Sequence, residues 1–164
     1  MSRTFVVRPV QPADLPAVGR LAGQLVRYHH ALDPKRFMLI DRVEEGYAHF
    51  LGREASNPRA VVLCAVEEPS GQIVGYAYGT LEGRDWNALL DPHGALHDVL
   101  VDPGVRRAGV GAKLVLETCR RLEALGAPRV LLHTAVQNEA ARALFAKLGF
   151  RATMIEMTRE RGGT

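Results

Sequence analysis

The apolar positions change period along the chain, and each change predicts an element. Thr4 to Arg8 alternates weakly and predicts a first strand, closed by Pro9. Gln11-Pro12-Ala13-Asp14 is a helix-entry signal, with Pro16 tolerated in the first turn. Val18, Leu21, Ala22 and Leu25 then recur at the spacing of one helical face. That helix runs to about Tyr28-His29-His30, and Leu32-Asp33-Pro34 breaks it. A second helix is predicted from Arg42 to Arg53, with Val43, Gly46, Tyr47 and Phe50 sharing a face. Ala60 to Val66 is continuously apolar, as in a strand buried on both faces. Glu67 to Gly71 is a turn cluster, and Gln72 to Leu81 returns as the hairpin partner, with Val74, Tyr76 and Tyr78 on one face.

Glu82 to Gly94 is a polar loop carrying Arg84, Asp85, Trp86, Asp91 and His93, and Ala95 to Val101 is the next strand. A helix follows from Ala112 to about Leu125, with Val115, Cys119 and Leu122 on its buried face and Gly126 as a left-handed stop. Arg129 to Thr134 predicts another strand. Asn138 caps a short helix striped by Ala141, Leu144, Phe145 and Leu148, and Gly149 ends it. Phe150 to Met157 predicts a last strand. The order is β, α, α, β, β, β, α, β, α, β. Short turns make the earlier strands antiparallel, and a helical crossover makes the two strands around the third helix parallel. The expectation is an α/β chain, one domain over 1–164, with a mixed, mostly antiparallel sheet and helices on both faces.

Composition narrows the class. Of 164 residues, 47% are hydrophobic and 24% charged, which suits a soluble globular domain with a full core. No apolar run reaches membrane-spanning length, and the N-terminus is too short and charged for a signal peptide, so no membrane partner and a cytoplasmic location are expected. A net charge of +3 with few aromatics gives little support to nucleic-acid binding. Cys64 and Cys119 lie far apart in apolar surroundings and read as buried small residues, not a disulfide or metal pair.

The chemistry concentrates at Val99-Leu100-Val101-Asp102-Pro103-Gly104-Val105-Arg106-Arg107-Ala108-Gly109-Val110-Gly111-Ala112. Strand, glycine-spaced basic loop and helix, in that order, make an anion site. The first amides of a helix lack partners, and the helix dipole is positive there. The spacing is neither a P-loop nor a dinucleotide fingerprint. It is Arg106-x-x-Gly109-x-Gly111, which resembles the acetyl-CoA pyrophosphate loop, Gln/Arg-x-x-Gly-x-Gly/Ala, of the GNAT superfamily of N-acetyltransferases. A second match lies downstream: Asn138 to Phe150 resembles the family's Asn-x-x-Ala-x-x-Leu-Tyr-x-Lys-x-Gly-Phe segment. Arg8-Pro9, Asp14-Leu15-Pro16 and Val101-Asp102-Pro103 are also typical, so the resemblance covers essentially the whole chain.

The resemblance implies two parallel strands that splay apart, with acetyl-CoA in the gap and no metal. Val99, Leu100 and Val101 would pair with the pantetheine arm through their backbone. Arg106, Arg107, Ala108, Gly109, Val110, Gly111 and Ala112 would hold the pyrophosphate, and Asn138 and Phe145 would line the far side. Acetyl transfer to an amine needs a base, an oxyanion donor and, for the leaving thiolate, a proton. His97 aligns with the family's base position and Asp98 follows it; strand alternation puts the two on opposite faces. Phe145 stands where many relatives carry a tyrosine acid, which leaves the thiol to depart unassisted or with help from Tyr76, Tyr78 or His133. His133 itself reads more readily as a core histidine. Asp41, Glu44, Glu45, Asp85 and Trp86 are candidate acceptor-pocket residues, though solvated surface is the simpler reading. Arg120, Arg121 and Arg129 read as surface charge, with a contact from one of them to the cofactor's ribose phosphate as the alternative. The expected activity is acetylation of a small-molecule primary amine in a ternary complex. Acetylation of a protein N-terminus or lysine, and acyl-CoA binding without turnover, are the rivals; whether the chain forms a homodimer stays open.

Overall fold

The structure, a computed structural model, describes residues 3–162. In chain order it contains β1 (Thr4–Pro9), α1 (Leu15–Leu32), α2 (Val43–Glu54), β2 (Ala60–Glu68), β3 (Gln72–Glu82), β4 (His93–Val101), α3 (Val110–Ala124), β5 (Val130–Leu132) and α4 (Glu139–Lys147). The sheet order is β1-β2-β3-β4-β5. The first three pairings are antiparallel, and β4–β5, flanking α3, is parallel, as the connection lengths require.

Two apolar layers hold the sheet. Val61, Leu63 and Ala65 of β2 face α3, whose Leu114, Val115 and Leu122 are fully buried. Val62 and Cys64 face α1 and α2, where Val18, Leu21, Ala22 and Leu25 form the expected buried stripe. The continuous apolar run of β2 is thus explained by helices on both faces. Cys64 is buried and Cys119 half-buried; both are free, and burial pushes each thiol pKa up to about 11. Gly79 in β3 lets α3 approach, because a Cβ there would meet Ala95 O at 2.8 Å and Leu122 Cδ1 at 3.1 Å.

The expected last strand does not form. Gly149 ends α4, and Phe150 packs edge-on against Phe145, with ring centroids 5.8 Å apart. Beyond it Arg151 to Met157 is exposed and unpaired, with Met154 87%, Ile155 79% and Met157 90% accessible. A strand needs a ladder to satisfy its backbone. β5 is only three residues long and offers too short an edge. The tail is instead tied across the chain by the Arg36–Glu156 ion pair.

A charged clamp joins β1 to α1. Arg8 donates two bonds to the Asp14 carboxylate, at 2.6 and 3.1 Å, and the Gln11 amide donates a third at 2.7 Å. The Arg8 bond, opposed by burial and aided by the Gln11 amide, holds the Asp14 pKa below its usual value. A depressed carboxyl pKa contributes stability that is present above the unfolded value of about 3.9 and lost as pH falls through the folded value. Arg8→Ala is therefore expected to reduce unfolding free energy by about 2 kcal/mol at neutral pH. In urea melts at stepped pH, the gap from wild type should narrow below about pH 3.9.

Candidate active site: an amide-rich loop and a bulged strand

At the C-terminal end of β4 the chain turns sharply into α3. Asp102 accepts a bond from the Gly104 amide at 2.7 Å and so fixes the turn at Pro103. Arg107 and Gly109 both adopt left-handed backbone, at φ 69° and 77°. Such residues let successive amides converge on one point. No side chain caps α3, and its first bond runs from the Lys113 amide to Gly109 O at 3.1 Å. The amides of Val110, Gly111 and Ala112 therefore face outward, unpaired within the helix. Nothing lies within 4 Å of where a Gly109 Cβ would sit, so an anion can approach the backbone there. Arg106, Arg107 and Ala108 are exposed around this opening. The residues fit a pyrophosphate by geometry and by charge.

From this loop an open strand edge leads into the fold. β4 pairs with β3 along its whole length, but with β5 only at Gly94, Ala95 and Leu96. From His97 to Val101 its other edge is free. The cleft so formed is lined by Leu96, His97, Asp98, Val99, Leu132 and His133, with Asn138, Ala141 and Phe145 of the α4 segment opposite. Asn138 caps α4 by accepting from the Ala141 amide at 3.2 Å. Phe145 both lines the cleft and packs on the α3-side core.

The two candidate proton carriers share a face, contrary to simple alternation. Tyr78 is opposite Asp98 and the next residue, Gly79, is opposite Leu96, so His97 is the extra residue of a β-bulge. A bulge re-aims the side chains beside it. His97 stacks on Tyr78 at 5.1 Å, on the α1–α2 side, where Asp98 accepts from the Tyr76 hydroxyl at 3.2 Å. His97 is exposed, and its Nε2 lies 2.7 Å from Thr80 Oγ1 and 3.7 Å from Glu82 Oε1. Burial pushes the Asp98 carboxyl up, while the Tyr76 bond and the nearby His97 and His29 pull it down; the balance is upward.

The remaining candidates separate cleanly. Tyr76 and Tyr78 are buried, and burial first, then their carboxylate neighbours Asp98 and Glu54, raise both phenols well above their usual pKa. Their hydroxyls are committed to Asp98 and, at 2.8 Å, to Glu54. His133 is not a core histidine: it is exposed and lines the cleft. His29 also lines the cleft, with Nδ1 2.9 Å from Leu25 O. Glu44 and Glu45 pair with Arg27 and Arg42. Asp85 caps its own loop, and Trp86 lies on the surface beneath Arg84. Glu117 holds both Arg120 and Arg121. Residues not expected from the sequence also join the site, among them Thr80, Glu82, Glu54, Tyr47 and Tyr28. Burial and the Asp98 charge push Tyr47 up to about 12. Tyr28 reaches across the cleft to Asn138 Oδ1 at 3.4 Å. Only the β3–β4 register brings Thr80 and Glu82 to His97, so no local motif marks them.

A loop of outward amides, a strand edge left open and a bulge presenting a histidine and a carboxylate thus follow one another along β4. Residues 26–150 match the acetyltransferase (GNAT) family, and the chain belongs to it. Glucosamine 6-phosphate N-acetyltransferase of Trypanosoma brucei brucei is 34% identical over 94 residues, covering 56% of this chain and 58% of that protein. The chain thus spans little more than half the length of that curated relative. The BH1408 protein of Bacillus halodurans, solved as a tetramutant, superposes with a TM-score of 0.81 at 19% identity, over 95% of this chain and 99% of the other. The aminoglycoside N-acetyltransferase AAC(6')-Iy, solved with CoA, gives 0.76 at 16% identity, over 99% of this chain and 97% of the other. At those identities the two solved structures are likenesses of fold.

The loop geometry sets an expected outcome. A Cβ at Gly109 meets no atom within 4 Å, although the φ of 77° there strains any other residue, and a Cβ at Gly111 makes only ordinary contacts, 3.4 Å to Leu144 and 3.7 Å to Val101. Gly111→Arg should therefore stay folded by circular dichroism, Gly109→Glu should fold with a lowered melting temperature, and both should lose acetyl-CoA binding in calorimetry, because each adds a bulky side chain to the loop whose amides would meet the anion.

Proposed function

We propose that the protein is an acetyl-CoA-dependent N-acetyltransferase that acetylates a primary amine of a small molecule by direct attack in a ternary complex. The observation that carries this reading is the continuity of the site: the amide-rich loop, the free β4 edge and the His97–Asp98 bulge lie in sequence along one strand. The donor supplies an activated thioester. The amides of Val110, Gly111 and Ala112 would hold its pyrophosphate, with Arg106, Arg107, Ala108 and Gly109 framing the opening, and Val99 to Val101 would pair with its arm.

The acceptor then enters from the other end of β4, where the side chains are acidic and aromatic. Asp98, Glu82 and Glu54 suit an amine that arrives as an ammonium ion, and Tyr47 and Tyr78 shape the wall. His97 is the base that takes the ammonium proton. It is exposed on the cleft, whereas Asp98 is half-buried and already accepts from the Tyr76 hydroxyl. Asp98 attracts the cation and stabilises the imidazolium that forms beside it. Phe145 gives no proton, and Tyr76 and Tyr78 are poor acids, so the thiolate leaves largely unassisted; a thiol with a pKa of about 8.5 is a fair leaving group. That the named activity of the Trypanosoma relative is acetylation of an amino sugar supports a small-molecule acceptor. A cytoplasmic location is part of the same proposal; separately, no helix among the described residues is long and apolar enough to cross a membrane.

Release of free CoA thiol across a panel of small amines and peptides tests the reading. Turnover on small amines is expected. Tight acetyl-CoA binding with no turnover on any acceptor would favour the acyl-CoA-binding alternative that Phe145 keeps open. With an acceptor in hand, His97→Ala should lower kcat by roughly 100-fold or more with acetyl-CoA affinity unchanged.

A further inference from the structure

The polar chain behind His97 contains more information than the position of the histidine. Thr80 Oγ1 touches two partners, the Glu82 carboxylate and His97 Nε2, the latter at 2.7 Å. A threonine hydroxyl has a single proton, and a carboxylate can only accept. The hydroxyl proton therefore goes to Glu82, and Oγ1 offers its lone pair to the ring. The ring nitrogen at that contact must then carry a proton. Nε2 is a donor, and Nδ1, which has no protein partner among the described residues, holds the free lone pair.

We infer that Thr80 and Glu82 are positioning residues that fix His97 as its Nε2–H tautomer, so that Nδ1 is the atom that accepts the acceptor's proton. This rests on the reading of His97 as the base. In the step itself an N–H bond of the ammonium breaks and an Nδ1–H bond forms. The resulting imidazolium keeps its Nε2–H bond to Thr80, and Glu82, 3.7 Å from Nε2, faces the new charge. The arrangement is that of a base oriented by a hydroxyl and a carboxylate behind it. The ring has little freedom to turn, because it stacks on Tyr78 at 5.1 Å and an interplanar angle of 30°. The charged and titratable groups around it are Glu82 from β3, beside the neutral Thr80 hydroxyl, Asp98 from its own strand, Tyr78 beneath the ring with Glu54 behind it, and His29 from α1 across Asp98. The bulge is what makes this set possible, since a regular strand would place Asp98 on the opposite face.

The test reads the ring directly. Long-range proton–nitrogen NMR of the ¹⁵N-labelled protein at neutral pH, without donor or acceptor, should show His97 with a protonated Nε2 and an unprotonated Nδ1. Thr80→Val removes the acceptor lone pair while keeping the shape, and should move the ring toward the other tautomer. Glu82→Gln should do the same in part, because its amide can donate to Oγ1 and free the hydroxyl proton for Nε2. Both variants should lower kcat by roughly 10- to 100-fold with KM for acetyl-CoA unchanged, and Thr80→Ser should restore both the tautomer and the rate. A wild-type ring protonated on Nδ1, or a Thr80→Val ring that keeps the wild-type pattern, would overturn the assignment. If the tautomer behaves as stated but His97→Ala retains full turnover, the base reading fails and the ring's orientation by Thr80 stands.

Discussion

β4 is bonded on both edges only as far as Leu96. On one side β3 accompanies it to Val101; on the other, β5 ends at Leu132 and the edge is left open. Unpaired strand backbone in a partly closed cleft is costly unless water or a ligand satisfies it. The same strand then delivers the chain to the N-terminus of α3, where three more amides lack partners. Free donors and acceptors are thus concentrated along one line, from Ala112 back to His97. Everything else in the fold serves to hold that line rigid: α3 seated on the glycines of β3, α1 and α2 buttressing the opposite face, and α4 closing the far wall with Asn138 and Phe145.

The two ends of that line differ in charge. The α3 end presents outward amides with Arg106 and Arg107, and suits an anion. The other end gathers Asp98, Glu82 and Glu54 among Tyr47, Tyr76 and Tyr78, and suits a cation. The bulge at His97 sits between them. One extra residue puts the imidazole and the Asp98 carboxylate on one face, against Tyr78 and Tyr76. In the proposed reaction a donor held by its phosphates and an acceptor drawn in as an ammonium ion would meet there, next to His97.

The helices were legible because their stripes are long. Val18, Leu21, Ala22 and Leu25 repeat over two turns, and Gly126 and Gly149 stop α3 and α4 where a left-handed residue is needed. β2 was legible from its unbroken apolar run. The geometry of the loop before α3 was legible because glycines mark its left-handed turn and its uncapped helix start. The bulge was not, since an inserted residue leaves alternation plausible locally and shows itself only in the pairing with β3. Thr80 and Glu82 were hidden for the same reason: on their own they are the polar end of a hairpin strand. The segment from Phe150 misled because apolar content was read as strand, whereas a strand also requires an edge to join. His133 was misjudged because β5 stops one residue short of it and leaves it exposed in the cleft.

Backbone amide NMR during titration with CoA measures the central claim most directly, because it reports each residue along β4 and α3 without requiring an acceptor. The account predicts that shifts concentrate at Val99 to Val101, at Gly109 to Ala112 and at Asn138, and fade toward the opposite end of α3. Shifts concentrated in the groove between Pro9, Val61 and Arg121, with Gly109 to Ala112 unmoved, would contradict it.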